Sequence, residues 1–274
     1  MLLPGMPAPP YIARGMIDAP WGKSKSAGLV FFARHSKRLS SRLPETLDNN
    51  IIKEKMSFYQ TLREGIQHFV YKVIDPGVRA AVKLGITPNV VTTIGMLGNA
   101  AGAGVLVYAA LNGEAGDYTY IGWAGVIIIL SSIMDMVDGY MARTANMCST
   151  FGAFYDSVLD RYCELLTLSG LAFYLMQTDK PGSAVITFLS LIGSIMVSYV
   201  RARAEGLDID CKVGLMQRPE RVVVTILGMI LAGFMQPFVQ FDALWFVIVT
   251  QSIIAVLANW TAFQRIAHVK RQMR

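Results

Sequence analysis

From residue 87 onward the chain alternates long apolar runs with short polar ones. The first apolar run begins at Thr87-Pro88 and reaches Leu111, and others follow near 119–143, 152–176, 183–204, 220–240 and 242–264. Each approaches the ~20 residues that a helix needs to cross a bilayer. Thr87 can cap the first helix, and Pro88 suits a first turn, where no backbone N–H is needed. Upstream, Phe58, Leu62, Ile66, Phe69, Val70 and Val73 recur at helical spacing, with Glu54, Lys55, Arg63, Glu64 and Lys72 between them. That pattern predicts an amphipathic helix lying on the membrane and ended by Asp75-Pro76-Gly77. Residues 1–50 show no period, only scattered Pro, Gly, Ser, Lys and Arg. They read as a basic, disordered tail able to meet anionic headgroups. The apolar run Gly28–Ala33 is too short to span, and no long apolar stretch with a cleavage site suggests a secretory signal. The expected fold is all-α and integral to the membrane, with six transmembrane helices preceded by a juxtamembrane amphipathic helix. The tail covers 1–50 and the membrane domain with its juxtamembrane helix covers 51–274.

Charge adds orientation. The chain is 53% hydrophobic yet carries a net charge of +6. With six spans both termini share a side. That side holds the N-terminal segment, the turn at Arg143, the 201–221 loop and the C-terminal tail. Beyond residue 85 every lysine and arginine falls there except Arg161, inside a span, and Lys180. The loops near 112–118 and 236–242 have none. The positive-inside rule therefore puts the termini on the cytoplasmic side of the cell membrane. Cys148, Cys163 and Cys211 form no disulfide framework, which suits a reduced cytosolic face. A nucleic-acid partner is not expected.

The candidate chemistry lies in DMVDGYMARTANMCSTFGAFYDSVLD, residues 135–160. Asp135, Asp138, Asp156 and Asp160 sit there between two apolar runs. Four carboxylates in membrane segments cost on the order of 10 kcal/mol, so they need a compensating partner. Asp135 and Asp138 are three apart and Asp156 and Asp160 four apart, so each pair shares one helix face. The polar segment 144–150 can turn the chain between two antiparallel helices, which then aim all four into one space. Their charge balances two divalent cations. Hard oxygen ligands favour Mg²⁺ or Mn²⁺ over zinc. Gly139 and Gly152 leave room for close approach. An acidic cation pathway in a divalent-cation transporter is the alternative from another class. His35, His68 and His268 lie outside the spans, so histidine base catalysis is not expected.

The sequence here resembles the CDP-alcohol phosphotransferases. Their signature D-x-x-D-G-x-x-A-R-x8-G-x3-D-x3-D is met at Asp135, Asp138, Gly139, Ala142, Arg143, Gly152, Asp156 and Asp160. Further on, R-A-R-A-E-G followed by R-P-E-R resembles the phosphatidylinositol-phosphate synthase branch, and the similarity runs over roughly 85–271. The resemblance implies a transferase with CDP-diacylglycerol as donor and myo-inositol phosphate as acceptor. It implies two cations on Asp135, Asp138, Asp156 and Asp160, with Asp160 also the general base. It places nucleotide contacts at Asn89, Val90, Val91, Thr92, Gly139, Arg143 and Ser149. It places the acceptor phosphate at Arg201, Arg221 and Arg265, and it implies a homodimer. Relatives often have lysine at Arg201, some have Asp at Asn89, and some have Thr at Ser149. Independently, Arg218 and Arg221 flank Pro219 at a helix start, where free N–H groups and the dipole make an anion site. Glycerol 3-phosphate and free inositol are the other acceptors to test.

Overall fold

The computed structural model describes residues 74–114 and 116–273. Helical backbone over 74–83 (α1) comes first. It is followed by α2 (Pro88–Asn112), α3 (Thr119–Thr144), α4 (Thr150–Met176), α5 (Gly182–Glu205), α6 (Arg218–Met235), a 3₁₀ turn (Gln236–Phe238) and α7 (Leu244–Gln272). No strand occurs among the described residues. The N-terminal tail and the amphipathic period up to Val73 lie outside them. Asp75-Pro76-Gly77 lie in helical backbone at the start of α1, and where the amphipathic period upstream ends falls outside the described residues. Contacts from two neighbouring helices hold this segment. Asp75 accepts from Tyr140 Oη at 2.8 Å and pairs with Arg79 one turn on, while Val78 packs with Val91 and Met141.

Each predicted apolar run coincides with one of the long helices α2–α7. Pro237 lacks the N–H to continue α6, which tightens into the 3₁₀ turn. α7 continues well past the apolar run because its last turns lean on a loop described below. Packing closes these helices into a ring. α2 packs on α3 and α4, α3 on α6, α6 on α7, α7 on α5, and α5 on α4. Small residues allow the tight crossings. A Cβ added at Gly233 would lie 2.2 Å from the Gly122 Cα, and one at Gly98 would lie 2.2 Å from Ser131 Oγ.

One end of the ring is filled by apolar side chains, among them Leu106, Ile121, Leu171, Met229 and Leu244. Lys180 and Asp242 form an ion pair there and tie the α4–α5 connection to the start of α7. The outer surface is apolar: Leu97, Trp123, Phe188, Val223 and Val256 are all exposed. A surface of that kind fits lipid, not water. α2, α3, α5, α6 with its 3₁₀ turn, and α7 are long and apolar enough to cross a membrane. α4 carries Asp156, Asp160, Arg161 and Glu164 and is not among these five. The chain is a multi-pass membrane protein, all-helical over its described residues.

Candidate active site

The end of the ring opposite the apolar plug is polar. The C-terminal half of α3 supplies Asp135 and Asp138, and the first turns of α4 supply Asp156 and Asp160. A short turn joins the two helices. Asn146 takes a positive φ of 54° within it, and Ser149 caps α4 by accepting from the Gly152 N–H at 2.9 Å. The four carboxylates lie within electrostatic reach of one another, as two antiparallel helices require.

α6 reaches into the same space. Nη2 of Arg218 lies 3.0 Å from Asp135 Oδ2 and 2.8 Å from Asp160 Oδ1. One nitrogen serves two carboxylates from two helices, so their oxygens lie within about 6 Å of each other. Asp138 is buried and accepts from Thr92 Oγ1 of α2 at 2.5 Å. α2 comes close because it is small here: a Cβ at Gly95 would stand 3.3 Å from Asp135 Oδ1. Among the described residues no three acidic, His or Cys groups close into a metal cluster. The Arg218 guanidinium takes the space between Asp135 and Asp160. The residues nevertheless fit divalent cations. The donors are hard carboxylate oxygens, and Asp135 and Asp160 already converge on a single cationic atom.

The expected nucleotide contacts gather beside this space. A Cβ on Gly152 would meet Ser149 Oγ at 2.9 Å and Asn89 Oδ1 at 3.3 Å, so those three residues adjoin. The same test places an Arg143 Nη 3.7 Å from a Gly139 Cβ, so Arg143 folds back along its own helix. Thr92 is turned onto Asp138. Val91 is buried against Val78 and Met141, whereas Val90 is exposed.

Of the three arginines expected to meet the acceptor, two lie deeper. Arg221 is 2% exposed; Nε and Nη2 donate to the two Glu164 oxygens at 2.8 and 3.0 Å, and Nη1 donates to the Met216 carbonyl at 3.1 Å. Arg265 is equally buried and donates to the Val213 and Val197 carbonyls at 2.9 and 2.6 Å. Arg201 is more open and pairs with Glu205 one turn on. Arg265 lies within electrostatic reach of both Arg201 and Arg221. The loop between α5 and α6 is pinned beside them on α7. Cys211 is buried, Met216 N–H reaches Thr261 Oγ1 at 3.4 Å, and Gly214, at φ 107°, packs where a Cβ would strike Thr261. His268 meets the Asp210 carbonyl at 3.2 Å, away from the aspartates.

Sequence reasoning missed Glu164. Its signal was present: Asp156, Asp160 and Glu164 recur at intervals of four and extend the acidic face of α4 by one turn. It also left Arg218 as a general anion contact, although Arg218 touches the aspartates.

Comparison with known proteins follows this geometry. A family model described as CDP-alcohol phosphatidyltransferase matches residues 85–263. The phosphatidylinositol phosphate synthase of Mycolicibacterium smegmatis is 30% identical over 200 residues, covering 73% of this chain and 84% of that one. A crystal structure of the Mycobacterium tuberculosis phosphatidylinositol phosphate synthase with CDP-DAG bound is similar at TM-score 0.62 and 28% identity. It covers 72% of this chain and 94% of that one. The structure of that enzyme with manganese and citrate has TM-score 0.63 at 28% identity, covering 71% and 87%.

Proposed function

This chain belongs to the CDP-alcohol phosphatidyltransferase family, and we propose that it transfers the phosphatidyl group of CDP-diacylglycerol to myo-inositol phosphate, releasing CMP. The carrying observation is the convergence of Asp135 and Asp160, from two helices, on one point. The relatives' names and the CDP-DAG-bound neighbour support the substrates. An acceptor hydroxyl oxygen bonds the phosphorus that carries diacylglycerol, the bond from that phosphorus to CMP breaks, and the hydroxyl proton passes to Asp160. Asn89, Val90, Val91, Thr92, Gly139, Arg143 and Ser149 hold the donor's nucleotide. Asp135, Asp138, Asp156 and Asp160 would hold two divalent cations, Mg²⁺ or Mn²⁺. When bound, these polarise the diphosphate and stabilise departing CMP. A manganese-bound neighbour supports divalent metal use.

Arg201, Arg221 and Arg265 receive the acceptor's phosphate. Arg265 lies near both of the others and adds a positive charge beyond the Arg221–Glu164 and Arg201–Glu205 pairs, which favours an anionic ligand. Arg201 meets the phosphate first, and Arg221 and Arg265 back it from buried positions. α4 is the sixth span, its charges facing the ring interior. The termini and the aspartates face the cytoplasm, and the protein is a homodimer in the cell membrane. The test is an acceptor screen on purified protein with CDP-diacylglycerol and Mg²⁺, reading product mass. Inositol phosphate should give phosphatidylinositol phosphate. Preference for free inositol or glycerol 3-phosphate would replace the acceptor, and failure to release CMP with any alcohol would remove the transferase reading.

A further inference from the structure

α4 and α6 hold the two halves of the proposed chemistry, yet they are not packed neighbours in the ring. α4 presents Asp156 and Asp160, and α6 presents Arg218 and Arg221. Between them lies a cavity of ≈ 20 Å³, room for about one water. It is lined by Asn99, Thr167, Ser194 and Thr225 as well as Glu164 and Arg221. Ser194 Oγ is buried without a partner there. Apolar side chains, among them Leu168, Val222 and Ile226, complete the cavity's lining. Two carboxylate–guanidinium contacts join the two helices at this level: Asp160 to Arg218, and one turn deeper Glu164 to Arg221.

The contacts are unequal. Arg218 divides one nitrogen between Asp160 and Asp135. Glu164 takes Arg221 through both oxygens, with both side chains almost wholly buried. A bidentate fork fixes orientation as well as distance, and burial makes it costly to break. Arg221 cannot turn without leaving Glu164 charged and unpaired in the ring.

We infer that Glu164 is a positioning residue for the transfer: it spans the ring from α4 to hold Arg221, and so sets where the acceptor's phosphate lies relative to Asp160. This rests on the reading of Arg221 as an acceptor-phosphate ligand. A small shift of Arg221 moves the acceptor, while the donor, held by α2, α3 and the first turn of α4, stays in place.

The test uses full-length protein in detergent with CDP-diacylglycerol and Mg²⁺, and compares wild type with Glu164→Gln and Glu164→Asp. Gln keeps the shape and loses the charge, and Asp keeps the charge and shortens the reach by one methylene. The expected result for Gln is a rise in KM for inositol phosphate of about ten- to hundredfold, as for loss of a charge-assisted hydrogen bond. KM for CDP-diacylglycerol should stay within about twofold, and Glu164→Asp should fall between Gln and wild type. If the Gln variant does not fold, the same split in the Asp variant carries the test. Unchanged acceptor KM, a lower acceptor KM, or equal rises for both substrates would each overturn the positioning role. A wild type that ignores inositol phosphate would overturn the acceptor reading instead.

Discussion

Arg218 and Arg221 stand one turn apart on α6 and meet opposite surroundings. Arg218 shares one nitrogen between Asp135 and Asp160, keeps 28% of its side chain exposed and leaves its Nε without a partner. Arg221 is 2% exposed and spends three N–H groups on Glu164 and Met216. A shared, part-exposed contact can be exchanged for another cation or anion at little cost. A buried bidentate contact cannot, because its loss strands a charge in a medium that does not solvate it. Depth in the ring, not residue type, separates exchangeable charge from fixed charge.

The largest effect should come from the carboxylates that Arg218 touches. A chelator should abolish activity, and Mg²⁺ or Mn²⁺ should restore it. Asp135→Ala and Asp156→Ala should each abolish turnover at ordinary metal levels, since the remaining carboxylates cannot hold two ions. Full turnover in metal-free buffer would mean that Arg218, and not a metal, is the working cation between Asp135 and Asp160.

Asp160→Asn comes next. It keeps the shape of the Arg218 partner and removes the proton acceptor. Turnover of the purified variant should fall about 10²–10⁴-fold, the usual effect of losing a general base. Near-normal turnover would leave Asp160 with only its ion-pairing role.

The comparison itself is sharpened by Arg221→Gln against Arg218→Gln. Removing Arg221 leaves Glu164 buried and unpaired, so thermal unfolding should report a loss of about 3–5 kcal/mol. Its KM for inositol phosphate should rise about ten- to hundredfold, with KM for CDP-diacylglycerol little changed. Arg218→Gln should unfold closer to wild type, because Asp135 and Asp160 are 16% and 14% exposed against 7% for Glu164. Equal destabilisation by the two variants would break the distinction.

The smallest effect belongs to the other end of the ring. Lys180 and Asp242 are each about one-third exposed. Lys180→Ala should cost about 0–1 kcal/mol of stability and leave turnover unchanged. A large loss of turnover would show that the two ends of the ring are coupled.

The chain's own pattern determined the six long helices, because apolar runs near the length of a bilayer have one low-energy conformation in lipid. It determined the metal-ligand candidates too, since spacings of three and four fix which side chains share a helix face. Helix order, the turn between α3 and α4, and the basic end of the molecule follow from the same local rules. Partnership across the ring does not. Which helices become neighbours depends on small residues meeting at crossings, as Gly122 meets Gly233, and those contacts join residues far apart in the chain. Asp75-Pro76-Gly77 reads locally as a breaker, yet it lies in helical backbone, where Asp75 contacts Arg79 and Tyr140 and the next residue, Val78, packs on Val91 and Met141. The same holds for charge. Sequence marks Arg218, Arg221 and Arg265 alike as basic residues near a membrane edge, and only tertiary packing gave the first to two aspartates, the second to Glu164 and the third to backbone carbonyls. Electrostatic partnership depends on distance and burial, which local spacing along one helix does not contain.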